Sequence, residues 1–144
     1  MLLVGLPGSG KSTWALGKAG LLSSDGLREL LADDPDNQNV HALVFRVLRD
    51  LLEHRLELGR PVTYVDATNL TPYERRPYIK LAELFDGEIE AVFFDVPVEE
   101  CIRRNRGRGR VVPDDVIRKM AERLVAPDLK EGFSRVSRAS KLHK

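Results

Sequence analysis

The stretch GLPGSGKS, Gly5 to Ser12, fits the spacing G-x-x-x-x-G-K-[ST], and its surroundings agree: the apolar LLV precedes it and TWALGKA follows. Gly5, Pro7, Gly8, Ser9 and Gly10 form a turn whose backbone N–H groups can face inward around phosphate oxygens. The start of the following helix adds the positive end of its dipole. Lys11 is then placed to reach the β- and γ-phosphates of ATP, the Ser12 hydroxyl to ligate Mg²⁺, and Thr13 to support the phosphates nearby. Trp14, one step further on, reads as packing against a sheet.

Outward from this loop, apolar stretches short enough for buried strands alternate with longer segments of helical period. That pattern predicts an α/β fold, a doubly wound, mostly parallel sheet of about five strands with helices on both faces. Strands are expected at residues 2–4, 20–23, 62–65, 89–95 and 134–139. The clearest helix covers 39–58, with Val40, Leu43, Val44, Val47, Leu48, Leu51 and Leu52 as its apolar stripe and Gly59 and Pro61 as its stop. A second begins at Thr71, with Pro72 in its first turn, Glu74 completing a capping box and Pro77 near enough to the start to be tolerated. Further helices are expected over 98–105 and 114–125.

A length of 144 residues with 42% hydrophobic content fits one compact domain over 1–144. The single cysteine, Cys101, excludes an internal disulfide framework and suits a reducing cytosol. No apolar run is long enough to cross a bilayer and the first glycine comes too early for a signal peptide, so a cytoplasmic location is expected. Charge is unevenly spread: residues 1–102 carry 10 Lys and Arg against 17 Asp and Glu, while 103–144 carry 13 against 5. The basic third is the part expected to meet anions.

A phosphate-holding loop does not say where a phosphate goes. Asp66, at the end of an apolar strand in VTYVDATN, lies where ligands of open α/β sheets gather and can approach the metal through water; it can also merely shape the turn with Thr68 and Asn69. In SSDGLREL, Asp25 and Arg28 follow another strand and would project from one helical turn. Asp25 can orient and deprotonate an attacking hydroxyl with Arg28 clamping an anionic group beside it, or it can be an ordinary N-cap. The run CIRRNRGRGRVVPDD places Arg103, Arg104, Arg106, Arg108 and Arg110 together, and residues 103–113 read as a lid that closes cations over the γ-phosphate. His41, His54 and His143 form no cluster.

Taken together, GLPGSGKSTW, DGLR, VDATNLTP and FDVPVEECIRRNRGRGRVVPDDVI resemble the kinase domain of bacterial and phage polynucleotide 5′-hydroxyl kinases, within a wider group of small P-loop kinases. The resemblance runs from Leu2 to about Phe133. It implies ATP and Mg²⁺ as cofactors and a 5′-hydroxyl end of DNA or RNA as acceptor. It implies Asp25 as general base, Arg28 as the acceptor-phosphate arginine, Arg108 as the lid arginine on the donor phosphates, and Asp66 as the aspartate that holds Arg28. Separate repair enzymes are the partners it implies. The wider group suggests a second reading, a small-molecule hydroxyl as acceptor; a nucleotide-binding module without transfer is the third.

Overall fold

A computed structural model describes residues 1–108 and 112–139. Five strands, β1 (Leu2–Val4), β2 (Leu21–Ser23), β3 (Tyr64–Asp66), β4 (Glu90–Phe93) and β5 (Arg135–Arg138), form one sheet in the order β2-β3-β1-β4-β5. Every pairing is parallel. Among the described residues six α-helices lie between them in the chain: α1 (Lys11–Ala15), α2 (Ser24–Ala32), α3 (His41–Glu57), α4 (Pro72–Leu84), α5 (Val98–Arg106) and α6 (Asp114–Arg123). The expected doubly wound α/β sheet is therefore the observed one, and no described helix is long and apolar enough to cross a membrane.

Alternation along each strand splits the core between the two faces. Leu2, Val65 and Ala91 turn towards Leu48 and Leu52 of α3 and Tyr78 and Ile79 of α4. Leu3, Val92 and Phe94 turn the other way, to Ala15 and Trp14. Trp14 sits edge-on to Tyr64 and Phe94, with ring centroids 5.9 and 5.8 Å away, so it is a packing residue, in keeping with its place after the loop. A third cluster, Leu6, Leu70, Cys101, Ile102 and Ile117, seats α5 and α6 beside the glycine-rich loop.

Local chemistry shifts several boundaries from their expected places. The long helix begins at His41 after a 3₁₀ turn over Gln38–Val40, and its buried line is Val44, Leu48 and Leu52, while Leu43 and Leu51 stay exposed. At α4, Thr71 caps by accepting from the Glu74 N–H, but Glu74 returns to the Leu70 N–H instead of to Thr71, so the capping box is displaced by one residue. Helix α6 ends at Arg123, two residues earlier than expected, because the Val125 N–H is taken by the Leu70 carbonyl.

Arg75, fully buried on α4, ties the far end of the chain to this frame. Its Nε and Nη2 donate to the two carboxylate oxygens of Glu131 at 2.9 and 3.0 Å, and its Nη1 donates to the Asn69 carbonyl at 2.8 Å. Removing one partner of a buried ion pair leaves the other uncompensated, at a cost of about 3–5 kcal/mol. Arg75→Ala is expected to lower unfolding stability by that order in urea denaturation. In a double-mutant cycle with Glu131→Gln, the second substitution should cost much less in the Arg75→Ala background than alone.

Candidate active site

The loop between β1 and α1 closes around its own lysine. Lys11 Nζ donates to the carbonyls of Gly5 and Leu6, both at 2.9 Å, and lies 3.5 Å from Ser9 Oγ. Ser9 is buried, its N–H donating to the Leu6 carbonyl at 3.1 Å, and the Gly5 N–H donates to the Thr68 carbonyl at 3.0 Å. Gly10 has φ +99° and Gly8 φ +82°, left-handed values that glycine adopts without penalty. At Gly8 space is also decisive, because a Cβ there would lie 2.4 Å from the Cys101 carbonyl oxygen of α5. Pro7 lines the cleft above this loop, whereas Thr13 is exposed and lies outside the cleft lining.

The cleft is about 550 Å³, and its walls bring together Lys11, Ser12, Asp25, Arg28, Asp66 and Arg108. Strand register explains the convergence. Ser23 pairs with Asp66, and Asp66 with Leu3, so the carboxyl ends of β2, β3 and β1 finish in one row. Asp66 Oδ2 accepts the Ser12 hydroxyl at 2.9 Å, joining the loop to the end of β3. The partners of Arg28 are elsewhere: its Nη1 donates to Asp25 Oδ1 at 3.1 Å and its Nη2 is 3.4 Å from His41 Nδ1. Among the described residues Asp66 is thus bonded on the Lys11 and Ser12 side of the cleft, while Arg28 is bonded to Asp25 and His41. Asn69 has φ +49° and its side chain donates to the Leu3 carbonyl at 2.7 Å, the turn-shaping role expected of it.

Asp25 is not the cap of α2. Ser23 is, its hydroxyl accepting from the Gly26 N–H at 3.1 Å, and the Asp25 carboxylate lines the cleft and accepts from Arg28. Arg28 is only 4% exposed, and its buried Nε has no hydrogen-bond partner among the described residues. An unmatched guanidinium N–H at that depth is costly unless an anion or water completes it.

The arginine-rich segment divides. Arg103 and Arg104 pair with Glu100 within α5 and Arg106 pairs with Asp114 of α6, while Arg108 lines the cleft. Arg110 lies outside the described residues. Buried Asn105 anchors the segment's return: its side chain donates to the Val112 carbonyl at 2.6 Å and accepts the Val112 N–H at 3.2 Å.

Ser24, Asp36, Gln38, His41, Phe45 and Met120 also line the cleft, and no motif in the sequence marks them. His41 is the most informative, because it has no cluster to announce it. It opens α3, 13 residues beyond Arg28, and only the packing of α2 against α3 brings the two side chains together.

Residues 1–127 match an AAA-domain family, AAA_33. The chain belongs to that family. Among curated proteins it is 30% identical over 145 residues to "Transcription factor bHLH140" of Arabidopsis thaliana, covering 94% of this chain and 15% of that protein. It is 24% identical over 142 residues to "L-seryl-tRNA(Sec) kinase" of Methanococcus maripaludis, covering 90% of this chain and 54% of the relative. Among solved structures, a chain of the Pnkp1/Rnl/Hen1 RNA repair complex superposes with a TM-score of 0.70 at 25% identity, over 85% of this chain and 42% of that one. The chain therefore spans about half or less of each of these relatives. What it shares with these relatives is the P-loop kinase-like fold with its nucleotide-binding loop.

Burial lowers the Lys11 ammonium to about 8; Asp66, Cys101 and Asp25 oppose the shift and Arg108 adds to it. A polyphosphate against Nζ favours the charged form, so binding raises this pKa and takes up a proton when the pH is near or above 8. ATP affinity is expected to be level below about pH 8 and to fall up to about tenfold per pH unit above it. Calorimetry in buffers of different ionisation enthalpy should find proton uptake at pH 8.5 that Lys11→Met abolishes. In the unliganded protein the sign is opposite: the unfolded chain binds the proton more strongly, so this residue's contribution to stability rises with pH between about 8 and the ordinary lysine value.

Proposed function

We propose that this domain transfers the γ-phosphate of ATP to the 5′-hydroxyl end of a DNA or RNA strand. The observation that carries the reading is the Asp25–Arg28 pair, which faces Lys11 and Ser12 across one cleft and adds a buried, partly unmatched guanidinium to a phosphate-holding loop. A carboxylate and a cation together suit a hydroxyl that has an anionic neighbour, which is the arrangement at the end of a nucleic acid. The match to a chain of an RNA repair complex supports a nucleic-acid acceptor, and the kinase relative is by its name one that acts on L-seryl-tRNA.

Each residue then has a stated task. Lys11 and the loop N–H groups hold the β- and γ-phosphates, and Arg108 meets the charge that develops on the transferring group. Asp25 takes the proton of the acceptor hydroxyl as its oxygen bonds to the γ-phosphorus and the bond from that phosphorus to the bridging β-oxygen breaks, leaving ADP. Arg28 binds the phosphate that follows the terminal sugar, and Asp25 holds that arginine's orientation. Ser12 and Asp66, a hydroxyl and a carboxylate already in contact, are the hard oxygen donors that suit Mg²⁺. When bound, the ion would neutralise phosphate charge. Residues 1–144 are proposed to act as one domain.

Asp25→Asn keeps the shape and removes the base, so transfer should fall by about 10²- to 10⁴-fold while ATP affinity is retained. The check is incubation with γ-labelled ATP and Mg²⁺ in the presence of a 5′-hydroxyl oligonucleotide and a panel of sugar acids, nucleosides and antibiotics. Label entering the oligonucleotide supports the reading. Label confined to a small molecule replaces the acceptor, and wild-type turnover by Asp25→Asn removes the base.

A further inference from the structure

Beside the cleft lies a second groove of about 700 Å³, between α3 and α4, that shares His41, Phe45, Thr68 and Met120 with it. The two are therefore continuous at the Arg28 end. Along α3 the line His41, Phe45, Arg49 advances four residues at a time, about 12 Å from the cleft outwards. Facing it on α4 are Tyr73, Arg76 and Lys80, spaced to share one side of that helix.

The chemistry of these walls is specific. Arg49, Arg76 and Lys80 form no ion pair among the described residues, whereas the groove's carboxylate, Glu74, is occupied by the Leu70 N–H and by Arg123. Tyr73 is 78% exposed, an uncommon position for an aromatic ring that covers no core. Unpaired cations interleaved with aromatic faces are what a single strand uses, the cations tracking its phosphates and the rings stacking its bases. A polyanion leaving Arg28 meets these cations along the groove.

We propose that the α3–α4 groove carries the nucleotides that follow the phosphorylated end of the acceptor, with Arg49, Arg76 and Lys80 on their phosphates and Tyr73 under a base. The proposal rests on the acceptor reading above and adds its direction and extent. It predicts that affinity grows with acceptor length beyond the first nucleotide, through residues that touch neither ATP nor the reacting hydroxyl.

The test compares 5′-hydroxyl decamers of thymidylate and uridylate with the matching nucleoside 3′-monophosphates as acceptors. Wild type is set beside Arg76→Glu/Lys80→Glu and beside Arg46→Glu/Arg60→Glu, which makes the same charge change outside the groove. The ratio of decamer KM to monophosphate KM should rise on the order of tenfold in the groove variant and stay at the wild-type value in the control. The slope of log affinity against log salt for the decamer should shrink by about 1.4 or more, at roughly 0.7 per lost phosphate contact. An unchanged ratio, or an equal change in both variants, overturns the groove. Should the glutamate pair impair folding, as thermal melting would reveal, Arg76→Ala/Lys80→Ala carries the same comparison.

Decamer binding without ATP, followed by fluorescence anisotropy, separates this proposal from the one it rests on. If wild type labels no acceptor yet only the groove variant loses decamer affinity, the groove stands and the reaction fails. Transfer to the decamer with no dependence on the groove leaves the reaction standing and removes the groove, and absence of decamer binding by wild type overturns the groove outright.

Discussion

The parallel register of β2, β3 and β1 is the constraint from which the site follows. Pairing Ser23 with Asp66 and Asp66 with Leu3 finishes three strands in one row, and the chain must leave each of them at the same edge. After β1 it turns through the glycine loop into Lys11; after β2 Ser23 caps the helix that carries Asp25 and Arg28; after β3 it presents Asp66 to Ser12. A one-residue slip of β3 would point Asp66 to the opposite face of the sheet and exchange buried Val65 for it. The apolar contacts of Leu2, Val65 and Ala91 with α3 and α4 prevent that slip, so core packing fixes the chemistry as well as the fold.

Electrostatic tension in the cleft follows from the same convergence. Lys11 is held by two carbonyls at a depth that lowers its pKa to about 8, with Asp66 and Asp25 acting to keep it charged and Arg108 acting against it. On the far wall Arg28 is at least as buried, and its Nε has no partner among the described residues. Both cations are less well solvated than they would be in water, and a phosphate would relieve each. Each group is relieved when an anion reaches its own wall, so the cleft offers one anion-seeking cation on either side.

The glycine loop is legible in the sequence because its chemistry is local: the spacing that cradles a phosphate lies within eight residues and between a strand and a helix. The sheet is legible for the same reason, as apolar segments of the right length. Asp66 can be read as a strand-end carboxylate, but its partner cannot, since Ser12 is 54 residues away and the choice between Ser12 and Arg28 is made by register. His41 gives no signal at all. Its contact with Arg28 exists only because α2 and α3 pack together, and no spacing in the chain encodes an exposed imidazole meeting a guanidinium.

Charge shows most clearly what folding does to a reading of composition. The basic last third is the part that composition sets against anions, yet among the described residues Arg103, Arg104, Arg106, Arg118, Arg123, Arg135 and Arg138 all pair with carboxylates. Apart from Asp114, those carboxylates belong to the acidic first two thirds, so the two excesses largely cancel where the chain folds back on itself. Such exposed pairs add little stability, but they leave few of those cations disposed to attract a ligand. Arg49, Arg76 and Lys80, which sit in the acidic part and have no such partners there, keep their fields. The surface suited to a polyanion is therefore decided by which cations the fold leaves unmatched beside Arg28, and not by which third of the chain is richest in them.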